Sequence, residues 1–207
     1  MATTTEVESF YLGDEKVGVL VRQCSLNNIR TTLSFKIGDG PAVYLFQETR
    51  FPTDVFSWIE YTYFDLLEGV RIEERSADEL LQLAPRNNPI PSYAAHLLLK
   101  DFLATNEPRR DFSQFEEGAS STVVSAAFVR HGMEEIETLN GSHEALKVVL
   151  EVDGRAGNIF WCVDTLVVKS DWQGATSYAN SDVALALENL DDDVLRHLEP
   201  VLSEFNG

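Results

Sequence analysis

Thr31-Thr32-Leu33-Ser34-Phe35-Lys36-Ile37 sets Leu33, Phe35 and Ile37 on one face and Thr32, Ser34 and Lys36 on the other. Gly38-Asp39-Gly40-Pro41 then turns the chain into Ala42–Arg50. Strict alternation is the period of a half-buried strand, and a Gly/Pro-rich turn between two such runs marks antiparallel pairing. Toward the N-terminus, Phe10-Tyr11-Leu12, the polar turn Gly13–Lys16 and Val17–Cys24 read as a preceding hairpin. Toward the C-terminus, Val55–Phe64 and Val70–Glu74, separated by a turn at Glu68-Gly69, complete a first meander.

The middle of the chain changes period. Ser76 stands three residues before Glu79, the spacing of a capping box, and Leu80, Leu81 and Leu83 follow on a helix. Pro85, Pro89 and Pro91 interrupt it, and Ser92–Ala104 carries an apolar stripe of Tyr93, Leu97, Leu98 and Phe102. Glu107–Ser121 is polar and reads as a surface connection. Strands return with Thr122–Arg130 and Met133–Leu139, joined at His131-Gly132, then Ala145–Val152, Ile159–Lys169, Ala175–Tyr178 and Val183–Leu187. A symmetric loop over Asp153–Asn158 pairs Leu150 with Trp161 and Val148 with Val163 toward the core, and Lys147 with Asp164 on the other face. Asp191-Asp192-Asp193 caps a terminal helix that meets Pro200.

These elements give a mainly antiparallel β (α+β) fold. It is one domain over residues 1–207, a single curved sheet forming a barrel or half-barrel of roughly ten strands. Residues 1–6 are expected to be flexible, residues 76–104 a helical insertion and residues 191–205 a C-terminal helix.

The 207 residues hold 16 Lys and Arg against 34 Asp and Glu, a net charge of −18. That excess disfavours nucleic acid and anionic membrane surfaces as partners. The start of the chain has neither a basic segment nor an apolar run, so a cytoplasmic protein is expected. Cys24 and Cys162 lie among β-formers and read as unpaired buried thiols.

No Walker or dinucleotide glycine pattern, nucleophile elbow, zinc helix or paired-Cys metal motif occurs. Neither a metal nor a cofactor is expected. His131 with Glu134 and Glu135 reads as a solvated turn, and the aspartates from Asp191 as helix-end charges. The remaining signal is aromatic. Tyr44, Phe46, Phe51, Phe56, Trp58, Tyr61, Tyr63 and Phe64 crowd two successive segments. Core packing explains most of this, yet both parities of Val55–Phe64 are enriched, which a one-sided sheet does not require. A pocket lined by this face takes Tyr61, Tyr63 and Glu60 as candidate catalytic groups and Tyr44, Phe46, Trp58, His96 and Trp161 as candidate ligand contacts.

The segment Glu137-Thr-Leu-Asn-Gly141-Ser-His-Glu-Ala145-Leu-Lys-Val148, the later Trp161 and the opening Tyr11–Gly18 hairpin resemble bacterial lipoprotein-carrier-like half-barrels over about residues 7–180. The resemblance implies a curved sheet with an apolar ligand cavity closed by the central helices, without implying the same ligand. Those carriers are usually exported, and the acidic helix after Asp191 is additional to their pattern. In size and aromatic strands the chain is also similar to small cytosolic β-barrels of polyketide pathways that act as cofactor-free cyclases, Diels–Alder enzymes among them.

Two functions of different class follow. The first is a cofactor-free cyclase or isomerase acting on a hydrophobic small molecule, including Diels–Alder-type cyclisation in secondary metabolism. Its catalysis rests on orientation and on a Tyr or Glu hydrogen bond to a carbonyl. The second is a non-catalytic carrier for a lipid-like ligand, and an interaction domain with a filled barrel is the remaining option. A homodimer is left open. Tyr and carboxylate groups converging in the cavity distinguish the enzyme from a carrier with a wholly apolar tunnel.

Overall fold

The computed structural model describes residues 3–65, 71–79, 88–117 and 122–203. Among them, thirteen strands form one sheet. The first meander comprises β1 (Thr4–Leu12), β2 (Glu15–Cys24), β3 (Asn28–Phe35), β4 (Val43–Arg50), β5 (Glu60–Asp65) and β6 (Arg71–Ser76). The short β7 (Ile90–Pro91) precedes the second, which comprises β8 (Arg109–Glu116), β9 (Thr122–Thr138), β10 (Gly141–Val152), β11 (Arg155–Val163), β12 (Leu166–Asp171) and β13 (Thr176–Asn180). The order β6-β5-β4-β3-β2-β1-β13-β12-β11-β10-β9-β8-β7 does not close on itself, so the sheet is a curved half-barrel. The meanders join where β1 pairs antiparallel with β13, from Val7–Asn180 to Tyr11–Thr176. Only β7 against β8 is parallel among the described pairs.

The inner face holds the main core. Helix α1 (Ala95–Leu103), entered through a 3-10 turn at Ser92–Ala94, packs there with Leu98, Leu99 and Phe102 buried against Phe128, Leu150 and Phe160. The outer face of β1 and β2 presents Val7, Val19 and Val21 to α2 (Val183–Leu187) and α3 (Asp192–Ser203), where Ala186, Val194 and Leu198 complete a second core. Alternation along β2 therefore serves two layers, with Val19 and Val21 outward and Leu20, Arg22 and Cys24 inward. Gly18 marks a close approach: a Cβ there would lie 2.2 Å from the Ser34 carbonyl oxygen.

Several expectations are corrected. Thr4–Glu6 are not a free leader; they already pair in β1 with Cys24, Gln23 and Arg22. The segment expected as a surface connection contains β8. His131-Gly132 is no turn, because β9 runs through it and absorbs the extra residue as a bulge opposite Lys147 and Val148, with Gly132 at φ 110°. Val183–Leu187 is a helix, nucleated by the Asp182 carboxylate accepting from the amides of Ala184 and Leu185.

The β10–β11 register also differs. The turn is the two residues Asp153-Gly154, both with positive φ, so Val152 pairs with Arg155. A tight turn of this kind moves the pairing relative to a six-residue loop. Lys147 lies opposite Trp161 and Val148 opposite Phe160. Phe160 and Cys162 face inward, and Trp161 and Lys147 face outward.

In the central insertion, the Ser76 amide donates to Glu79 Oε2 at 3.1 Å, as the capping spacing predicts. The helix expected over Leu80, Leu81 and Leu83, the break at Pro85 and the turn at Glu68-Gly69 lie outside the described residues. Asp191 caps α3 by accepting from the Asp193 amide at 2.9 Å, and the helix continues through Pro200. No described helix is long and apolar enough to cross a membrane.

Candidate functional site

Three polar straps hold α1 over the inner face. At its entrance, the Ser92 hydroxyl and amide donate to Glu117, at 2.6 and 3.4 Å, while Gln47 Nε2 from β4 donates to the same carboxylate. In its middle, His96 Nε2 lies 2.8 Å from Glu6 of β1, and Lys100 donates to the other Glu6 oxygen. At its C-terminus, the Arg130 guanidinium donates to the carbonyls of Phe102, Leu103 and Thr105 at 2.9, 3.3 and 2.6 Å and stacks on the Phe102 ring. Helix carbonyls left without intrahelical donors are where a cation is best placed.

Beneath this roof lies a cavity of about 280 Å³. Its apolar side is Leu99, Phe128, Leu150 and Phe160. Its polar lining carries Tyr63, Tyr93, Gln114, Glu116 and Glu117, together with Arg22, His96 and Trp172. Few polar groups among apolar walls are the usual composition of a small-molecule site. At liquid density the volume corresponds to roughly nine waters, a space for a compact molecule. A larger cleft of about 490 Å³ opens beside Phe56 and Phe112, but its cation Arg109 is held by Asp111 and Glu151.

The charges at the cavity are ordered by their partners. Arg22, 3% exposed, donates to the buried Glu8 carboxylate, which also accepts from Ser177. Trp172 Nε1 donates to Ser177 Oγ at 2.9 Å, and the Arg22 guanidinium lies 6.0 Å from the Trp172 ring centroid. Burial and the Arg22 charge hold His96 below its ordinary pKa, so its imidazole is neutral and donates Nε2–H to Glu6. Burial pushes the Glu6 carboxyl upward, but the hydrogen bonds from His96 and Lys100 and the Lys100 charge prevail and bring it to about 2. Glu117 goes the other way. Burial raises it to about 7, against the hydrogen bonds from Ser92 and Gln47 that act to lower it. Burial likewise pushes the phenols of Tyr63 and Tyr93 up, with the Glu117 charge adding to both, so they remain hydrogen-bond donors at neutral pH.

Of the residues singled out in the sequence, Tyr63 and His96 line the cavity. The Tyr63 hydroxyl donates to Asp65 at 3.2 Å. Tyr61 and Trp58 are fully buried in the main core and do not line the cavity, their rings 5.8 Å apart, and Trp58 Nε1 donates to the Pro89 carbonyl. The parity argument across Val55–Phe64 does not hold along its length, because a 3-10 turn at Val55–Ser57 precedes β5 and resets the alternation. Glu60 pairs with Arg50 at 3.4 Å at the surface. Tyr44 and Phe46 are on the outer face, Tyr44 against His197 and Phe46 beneath Arg30. Trp161 is also outside, donating to Glu134 at 3.0 Å between Lys147 and Lys169.

Arg22, Tyr93, Glu116 and Glu117 were not among the sequence candidates. Arg22 had a visible signal, a lone charge at an inward position of the apolar run Val17–Cys24. Glu117 had none, since its burial depends on α1 folding across from β8. Comparison with protein-family models, with curated proteins and with solved structures gives no match.

Proposed function

We propose that the half-barrel binds a compact, largely apolar molecule and moves a proton within it, promoting isomerisation or ring closure with side chains of the chain alone. The observation that carries this reading is that Tyr63, Tyr93 and Glu117 line one cavity, with the Glu117 charge acting on both phenols. A carboxyl with a pKa of about 7 is matched to both accepting and returning a proton near neutrality. In the proposed step, the Glu117 carboxylate takes a proton from the substrate. A phenol that stays protonated donates a hydrogen bond to the developing negative oxygen, and Glu117 returns the proton at another atom. The apolar side fixes the substrate's orientation, and α1 keeps water from the reacting atoms.

The polar wall distinguishes this reading from a lipid carrier, which needs an apolar tunnel and no titrating group. The free, buried Cys24 and Cys162 support a cytoplasmic setting. Native mass spectrometry of protein purified from its own host identifies the bound compound. That compound, incubated in D2O with the protein, gains deuterium at carbon with wild type and not with Glu117→Gln. Retention by both proteins with no deuterium uptake would instead identify a carrier.

A further inference from the structure

We infer that the cavity's occupant is a compact organic amine, bound as an ammonium ion with its nitrogen toward the wall of Gln114, Glu116 and Glu117. The inference rests on the acid–base reading of this site and specifies its substrate class. The hydrogen-bonding balance of the wall is its basis. Among the described residues, no cation pairs with Glu116 or Glu117; Glu116 accepts only from Gln114 Nε2, at 3.2 Å. Gln114 is 4% exposed and lines the cavity, yet its Oε1 has no hydrogen-bond partner. Outside the cavity lining, Oε1 of Gln47, 2% exposed, is also without a partner, and its Nε2 is spent on Glu117. The Gln114–Glu117 stretch of the wall thus holds acceptors without partners, while its donors are the neighbouring phenols.

The charges of the nearby cations are already paired, Arg22 with Glu8 and Lys100 with Glu6, although Arg22 Nε, buried at the cavity lining, has no hydrogen-bond partner. A carboxylate or phosphate would therefore meet two acids with no available counter-charge, whereas an ammonium supplies both the missing charge and the missing N–H groups. The aromatic faces of Tyr63, Tyr93, Phe128, Phe160 and Trp172 around the cavity suit a cation on an apolar body.

Three probes of nearly one shape test this: benzylammonium, benzyl alcohol and benzoate, titrated into the whole protein and read at the Trp172 indole N–H by NMR. Benzylammonium should bind about tenfold or more tighter than benzyl alcohol, ~1.4 kcal/mol or more, with benzoate weakest. Glu117→Gln should reduce that preference severalfold. Benzoate or benzyl alcohol binding as tightly as benzylammonium overturns the inference. So does an absence of benzylammonium binding to protein with a folded spectrum. Benzylammonium binding without proton transfer to any amine would leave the ligand class standing and remove the catalytic reading, so the two failures are distinguishable.

Discussion

Glu6 of β1 receives the Nε2–H of His96 at 2.8 Å, a contact between residues ninety positions apart that fastens the roof helix to the strand through which the first meander joins the second. Lys100, one helical turn on, donates to the other oxygen of the same carboxylate. Its folded pKa of about 2 lies below the ordinary 4.5, so the stability it confers is complete above 4.5 and is lost as pH falls toward 2. Glu6→Gln should lower stability at pH 7 by about 1–3 kcal/mol and flatten the acid limb. Urea denaturation at pH 7, 4 and 2 measures it; equal stability at pH 7 would remove the strap.

Glu117 acts with the opposite sign. Its folded pKa, about 7, lies above the ordinary 4.5, so the folded protein holds the proton more tightly. Stability therefore falls as pH rises from 4.5 through 7, by up to about 3 kcal/mol. Glu117→Gln should remove that slope, which chemical denaturation between pH 4.5 and 8 reads directly. An unchanged slope would place the titration elsewhere.

The Arg22–Glu8 pair is buried on both sides. Glu8→Gln leaves a guanidinium without its counter-charge and should cost about 3–5 kcal/mol. The double variant Arg22→Met/Glu8→Leu should recover most of that loss, measured as Tm and urea midpoint. A double variant that loses as much as Glu8→Gln alone would show that the pair itself stabilises the fold.

Leu150, on the floor of the cavity, is buried among Phe128 and Phe160. Leu150→Ala should cost about 2–5 kcal/mol through the space it leaves. A melting temperature unchanged by the substitution would contradict its core placement.

The two thiols should be inert in the folded protein. Burial raises both, Cys162 to about 12, and neither is paired. Iodoacetamide at pH 8 should modify neither until urea unfolds the chain, and the double Cys→Ala variant should keep any proton-transfer activity.

What the sequence made legible follows its local chemistry. The cap at Asp191 concerns neighbours along the chain, and the structure agrees; the alternation at Thr31–Ile37 marks β3, but the strand ends at Phe35, Thr31–Ser34 are all buried and Ile37 is exposed. The Asp153-Gly154 turn was also a local signal; reading a longer loop there displaced Trp161 to the wrong face. At the site, Tyr63 and His96 were legible from their aromatic strand and apolar helix. Glu117 and Arg22 were not, because their chemistry comes from distant partners, Ser92 and Gln47 for one and Glu8 and Trp172 for the other. Cross-sheet placement of this kind has no sequence period.

The most direct test of acid–base chemistry at Glu117 is the pH profile of deuterium uptake into the co-purifying compound, measured as kcat/KM from pH 5 to 9. That quantity reports the groups of the free protein. The account predicts that the rate rises through a midpoint near 7 as Glu117 ionises, and that Glu117→Gln abolishes uptake while still binding the compound. A rate independent of pH across that range, or uptake by Glu117→Gln at the wild-type rate, would contradict it.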